Sequence, residues 1–252
     1  MARAQTAPTV QPRVYPAGRA VIFHGFGAPE LAGRRFTVEG RRVQALRYGR
    51  LALLVAFVGQ TEYAPNEIER RRSDETWLRL EARVHERAVE RANLHGALVP
   101  ARFLSIFPHP AALEEAATEH YARWCRTLTR LGAKREFVVH AFAGPHVAPG
   151  GTPYLLRVVA NASRSPRVMT PKLGVEIVTQ LQALWRTCGA LATGSRRILG
   201  PPMRGALGSV AYLVPEHQAG ALRTAIARAS EAGAAAGLTY YMEGPRAPFT
   251  FS

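Results

Sequence analysis

The run Leu51 to Val58, LALLVAFV, restricts the fold more than any other stretch of this chain. It is continuously apolar yet far shorter than the roughly 20 residues a membrane-spanning helix needs. A strand with one solvated face alternates apolar and polar residues, so an unbroken run reads as a central strand buried on both faces. Residues 21 to 26 (VIFHGF), Phe36 to Val38 and Val43 to Tyr48 read as further strands, with turns at Gly40 and Tyr48-Gly49. Gly25 marks a bend or a close approach within the first of these. The polar stretch Thr61 to Arg72, with Pro65, reads as a surface connection.

Helical spacing follows. Ser73 or Asp74 can cap a helix that runs to about Leu94 before Gly96, with Trp77, Leu80, Val84 and Ala88 as its apolar stripe. Arg79, Arg83, Arg87 and Arg91 recur every four residues on another face. Glu75 precedes Arg79 by four, and Glu86 and Glu90 each follow an arginine by three. The ladder therefore reads as a salt-bridged solvent face rather than a phosphate-binding one. Pro100 supplies no backbone donor and keeps Val99 extended, so Ala97 to Phe107 is a connector pinned by Leu98, Val99, Phe103, Ile106 and Phe107. Arg102 lies between these anchors, either as a guanidinium with a partner or as a solvated side chain beside the core. A second helix opens at Pro110 and stops at Gly132, burying Leu113, Ala117, Tyr121, Trp124, Leu128 and Leu131.

From residue 135 the order of elements changes. Glu136 to Phe142 is a strand, Pro145 to Pro153 a loop, and Tyr154 to Asn161 a helical piece. Lys172 to Leu191 is an amphipathic helix, Arg196 to Leu199 a short strand, and Ser209 to Val214 a clear one. Pro215 opens a helix to about Ala235, and Leu238 to Glu243 is the last strand. Without the helical piece this is β-α-β-β-α-β, the ferredoxin-like split arrangement. The fold class is α+β with two domains. Residues 1–18 form a disordered lead-in, 19–132 an N-terminal domain of strands then helices, and 133–252 a C-terminal ferredoxin-like domain with an extended tail.

The chain carries 33 basic against 18 acidic residues, a net charge of +15. Such a balance invites a nucleic-acid reading. The basic residues are almost all arginine, with Lys134 and Lys172 the only lysines, and they are spread along the whole chain. Abundant Ala and Gly point to GC-rich coding bias, so a general attraction to anions follows and a specific nucleic-acid site does not. The N-terminus has no apolar core of the kind a secretory signal requires, which places the chain in the cytoplasm. Cys125 and Cys188 sit in helical stretches as small buried hydrophobes rather than a disulfide.

No catalytic or cofactor constellation stands out. The glycines near the first strand miss the dinucleotide spacing, no nucleophile elbow is present, and no two histidines sit four apart on a helix. His85 and His120 beside helix stripes read as structural. No cofactor and no metal are expected, and the chain is read as a non-enzyme. What remains is binding. A ferredoxin-like sheet can offer a face or an edge to another chain. The tail Gly244 to Phe251, with Pro245 and Pro248, favours an extended path with Phe249 and Phe251 on one side. Those two rings either close the C-terminal core or meet a partner.

Several of these motifs resemble the gas vesicle protein F/L family (GvpF/GvpL). His85-Glu86, Gly96 and Val99-Pro100-Ala101-Arg102-Phe103 resemble its His-Glu helix start, small-residue turn and Leu-Pro-x-Arg-Phe segment. Gly132 to Phe137 is similar to its Gly-to-Glu strand entry, Gly151 with Tyr154-Leu155 to its Gly-x-x-Tyr-Leu element, and Ala211 to Val214, including Tyr212, to its Ala-Tyr-Leu-Val strand end. The tail is similar to Gly-Pro-Trp-Pro-Pro-Tyr-x-Phe. The sequence departs at Leu104, where glycine is expected, at Arg246, where tryptophan is expected, and in its overall basicity. The resemblance implies a non-enzymatic accessory protein at gas vesicles in the cytoplasm. It implies contact with the hydrophobic major shell protein and with other gas vesicle accessory proteins. It also makes His85, Pro100, Arg102, Phe103, Tyr154, Tyr212, Gly244, Pro245, Pro248, Phe249 and Phe251 the positions to follow. The alternative, from charge alone, is a ferredoxin-like nucleic-acid-binding protein.

Overall fold

In the computed structural model, Tyr15 and residues 17–143, 175–198, 203, 206–234 and 238–252 are described. The segment of Tyr154, its Gly151 partner and the expected loop and helical piece lie outside these residues. The described chain is mixed α and β with two antiparallel sheets and falls into two compact units, essentially 1–132 and 133–251.

The first unit is a sheet of β1 (Arg19–Gly27), β2 (Arg35–Val38), β3 (Arg41–Tyr48) and β4 (Leu51–Gly59), with β5 (Leu98–Pro100) and β6 (Ile106–Phe107). The order is β2-β3-β4-β1-β5, and β6 also pairs with β1. The apolar run thus sits in the middle of the sheet, and Leu51 to Ala56 are all buried. Helix α2 (Glu75–Asn93) and helix α3 (Pro110–Leu131) cover opposite faces. His24 of β1 meets His85 of α2, whereas its neighbour Phe23 stacks on Trp124 of α3. The caps are those the residues favour. Asp74 accepts from the Thr76 and Trp77 amides at 2.9 and 3.1 Å, and Pro110 starts α3 with His109 accepting from Ala112 N.

Two segments differ from expectation. The polar stretch 61–72 contains helix α1 (Pro65–Arg71), in which Pro65 takes the first turn it suits. The connector 97–107 makes two short strands, too brief to show any periodicity, because β1 offers it an otherwise unpaired edge. The arginine ladder is paired largely beyond its own helix. Arg79 does bind Glu75, but Arg87 reaches Glu39 and Arg91 donates to the Thr37 carbonyl at 2.7 Å. Glu86 is 2% exposed and so is no part of a solvent face.

The second unit is a sheet of β7 (Lys134–Ala143), β8 (Gly194–Arg197), β9 (Ala206–Pro215) and β10 (Leu238–Arg246), ordered β10-β7-β9-β8 with every neighbour antiparallel. Helices α4 (Val175–Leu191) and α5 (Ala219–Ala234) pack on one face. Alternate residues Phe137, Val139 and Ala141 of β7 and Val210, Tyr212 and Val214 of β9 form that core with Leu184, Cys188, Leu222 and Ile226. Glu136, Val138 and His140 therefore point to the opposite face.

Candidate functional site

Most of the described positions singled out by the sequence gather at two places, one in each unit. In the first, β1 carries a bulge. Its register with β4 shifts between Phe23 and Gly25, leaving His24 as the extra residue. The bulge restarts the alternation, so Phe23 and Phe26 both reach Trp124, at 5.3 and 5.0 Å between ring centroids. Gly25 has φ 153°, and a Cβ there would lie 2.4 Å from the Val99 carbonyl oxygen. Only glycine lets β5 come this close, which brings Val99 and Pro100 against β1. The backbone completes the joint. Ala101 N donates to His24 O at 2.9 Å, and Phe23 N to Ser105 O at 2.8 Å.

Under that joint lie His24 and His85, their Nδ1 atoms 3.2 Å apart and both rings buried. One must donate and the other accept, so at least one is neutral. Burial pushes His85 down to about 4, with the Ala101 backbone acting the other way, and it holds His24 well below its ordinary value, helped by the His85 and Arg41 charges. Phe103 meets the His85 ring edge-on at 6.2 Å. Pro100 is buried, Phe103 half-buried and Arg102 exposed, so the solvated reading of Arg102 holds. Leu104, at the position where glycine was expected, has φ 59°.

One helical turn earlier on α2, Glu81 is buried and held by Arg41 through Nη1 at 2.5 Å and Nη2 at 2.8 Å. The Tyr63 hydroxyl donates to Glu81 Oε1 at 2.7 Å, and burial with the Glu81 charge raises its pKa, so it stays a donor. Sequence reading passed over this cluster. The available signal was spacing: Glu81 and His85 follow Trp77 at intervals of four and so share its buried stripe.

The second place is the C-terminal tail. The extended path holds only through Arg246; beyond it the chain turns, with Phe251 N donating to Pro248 O at 3.2 Å. The cause is Glu136, which is fully buried on the sheet face away from the helices. Its carboxylate accepts from Arg246 Nε at 3.1 Å and Nη2 at 2.5 Å, and from Thr250 N and Oγ1 at 2.7 Å each. Gly244, with φ 114°, lets the strand bulge over β7; a Cβ there would lie 2.6 Å from Glu136 O. At the far edge, Arg196 donates to Thr250 O at 2.7 Å and lies over the Phe251 ring at 5.4 Å. Phe249 and Phe251 therefore part company. Phe251 is 5% exposed and Pro248 is buried, while Phe249 is half-buried and Gly244 and Pro245 are exposed. Tyr212 is buried in the helix-side core.

Neither place holds reactive groups in a working array. Cys125 and Cys188 are free and buried, and burial pushes the Cys188 thiol up to about 12. Among the described residues no group of three His, Cys, Asp or Glu could hold a metal ion, and no helix is long and apolar enough to cross a membrane. What the two joints do is fix close backbone contacts through buried charge and glycine.

Three comparisons with known proteins bear on this geometry. The family model described as gas vesicle synthesis protein GvpL/GvpF matches residues 22–150. Among solved structures, the crystal structure of the gas vesicle protein GvpF from Anabaena sp. PCC7120 is similar at 14% identity. It covers 92% of this chain and 98% of that one, with a TM-score of 0.63. GvpF from Microcystis aeruginosa is similar at 15% identity, with the same coverage and a TM-score of 0.60. No curated protein sequence matches.

Proposed function

Because the chain belongs to the gas vesicle synthesis protein GvpL/GvpF family, we propose that it is a non-enzymatic accessory protein that binds the hydrophobic major shell protein and supports vesicle assembly. The family match, which spans the β1 joint, the α2 motif and α3, carries this reading. The physics fits. A shell subunit before assembly exposes apolar surface and strand edges that aggregate unless covered. In this reading the protein works in the cytoplasm at the growing vesicle, beside other gas vesicle accessory proteins, and needs no cofactor.

The same proposal takes the second unit as a ferredoxin-like domain, with domain limits at 19–132 and 133–252. The order β10-β7-β9-β8, antiparallel throughout and with both described helices on one face, supports it. Phe249 is half-buried, so part of its ring is open to a partner, whereas Phe251 is buried within its own unit.

The test is co-purification of the tagged chain with co-expressed major shell protein, washed across a salt series. Retention at high salt is the expected result, because an apolar contact is insensitive to screening. Loss of the shell protein together with recovery of nucleic acid that washes off as salt rises would overturn the reading in favour of charge-driven nucleic-acid binding. Phe249→Ala is expected to weaken retention while leaving the fold intact.

A further inference from the structure

On the first unit, β1, β2, β3 and β4 shape a recess of about 510 Å³ lined by Arg19, Arg35, Arg42, Gln44, Thr37 and Phe57, among others. The register sets the arginines around it. Arg35 lies opposite Gln44 and Thr37 opposite Arg42 on neighbouring strands, while Arg19 opens β1 near the end of β4 that carries Phe57. Period-two geometry puts Arg35, Thr37, Arg42 and Gln44 on one face of the sheet.

All three guanidinium groups are exposed, and among the described residues none has a hydrogen-bond or ion-pair partner. Four other arginines of the unit are held by acceptors. Arg41 is bound to Glu81, Arg87 to Glu39, Arg91 to a carbonyl and Arg79 to Glu75. Three unpaired cations converging on one recess repel one another, and in a chain of net charge +15 no surplus acid offsets them. An anion relieves that repulsion, and a guanidinium fork matches a carboxylate with two parallel hydrogen bonds.

We propose that this recess is a docking site for an acidic segment of a partner protein, with side-chain carboxylates seated on Arg19, Arg35 and Arg42. The aromatic rings at the site favour carboxylates over nucleobases. Sequence-tolerant base binding needs exposed ring faces for stacking. Here Phe57 has the Tyr15 ring against it at 5.7 Å, and Phe36 is stacked on His95 at 5.8 Å. Gln44 and Thr37 add neutral donors within reach of the same anion. The proposal is independent of the shell-protein reading, since the side chains that meet the anion are polar and include none of the tail.

The test uses the full chain, a fluorescent poly-glutamate peptide and a single-stranded oligonucleotide, with affinities read by anisotropy at low and physiological salt. Arg35→Gln/Arg42→Gln is compared with Arg123→Gln/Arg126→Gln, two exposed arginines of α3 whose replacement changes net charge equally. All four positions are exposed, so both variants are expected to fold. The recess variant should bind poly-glutamate about tenfold more weakly and the α3 variant within about twofold of the parent. Equal losses in both variants would reduce the effect to net charge and overturn the site. So would a parent that does not bind poly-glutamate, or a recess variant whose loss is confined to the oligonucleotide, which would make the ligand a nucleic acid.

Discussion

Replacing Arg246 by alanine removes the cation from a carboxylate with no access to water. Arg246 is 9% exposed and Glu136 0%, and two of the four polar contacts to Glu136 come from the guanidinium. Breaking a buried ion pair from one side costs about 3–5 kcal/mol, because a desolvated charge is left behind. The Thr250 amide and hydroxyl survive at 2.7 Å each and keep part of the compensation, so the loss should fall near the lower end, about 3 kcal/mol. Urea unfolding followed by hydrogen exchange of β7 and β10 peptides reports the second unit alone. With a slope of about 1–3 kcal/mol per molar urea, the midpoint should fall by roughly 1–3 M. The double variant Glu136→Gln/Arg246→Met, which removes the charge together with its partner, should recover much of the loss, giving a coupling of at least about 1 kcal/mol. An Arg246→Ala protein within about 0.5 kcal/mol of the parent, or a strictly additive cycle, would show that packing of Phe251 and Pro248 anchors the tail and that the ion pair is incidental.

Acid should weaken the first unit. The unfolded chain takes up a proton at His85 near the ordinary 6.5, the folded chain only near about 4, so stability is intact above 6.5 and falls as pH drops through that window. The gap corresponds to roughly 3 kcal/mol, and His24 acts in the same direction. Urea midpoints at neutral pH and near pH 4 measure it, and His85→Leu should flatten the dependence; an unchanged slope would place the acid-sensitive group elsewhere. Gly25→Ala forces a methyl against the Val99 carbonyl and should cost more than about 2 kcal/mol, read as a lowered melting temperature and faster exchange in β5. Leu104→Gly works the other way. Leucine at φ 59° carries about 1–2 kcal/mol of strain, glycine costs about 0.5–1 kcal/mol in chain entropy, and the half-buried side chain is lost. Stability should therefore change by less than about 1 kcal/mol, where an unstrained half-buried leucine replaced by glycine would lose clearly more.

Much of the architecture was written in local chemistry. Leu51 to Val58 announces a central strand because no polar residue interrupts it, and Asp74, Pro110 and Gly132 place the helix ends within a residue or two. What was not legible depends on residues far apart in sequence. Two residues cannot display a period, so β6 exists only because Val21 and Ile22 are there to pair with it. The His24 bulge turns a strand that looks regular into one with two aromatic residues on the same face. Arg87 has an acceptable partner on its own helix in Glu90 and Arg91 has none at helical spacing, and tertiary packing gives them Glu39 and the Thr37 carbonyl. Glu136 and Arg246 each stood in a motif, but nothing local says that the two motifs meet.

The positions that made the chain resemble its family divide by burial, and the division bears on what each can be asked. His85, Pro100, Tyr212, Pro248 and Phe251 are buried, and Gly244 is fixed by a backbone contact. Their replacement disturbs joints on which whole strands depend, so binding and folding would be lost together and the result would say little about a partner. Arg102, Phe249 and the recess arginines stand in solvent or half in it, and their replacement should leave the fold alone. A fold held by a few close backbone approaches is similar to a solved structure at 14% identity, and this chain carries a net charge of +15 on it. Partner recognition in this chain has therefore to be sought at exposed positions, and a loss of binding counts as recognition only when the same variant unfolds at the parent's urea midpoint.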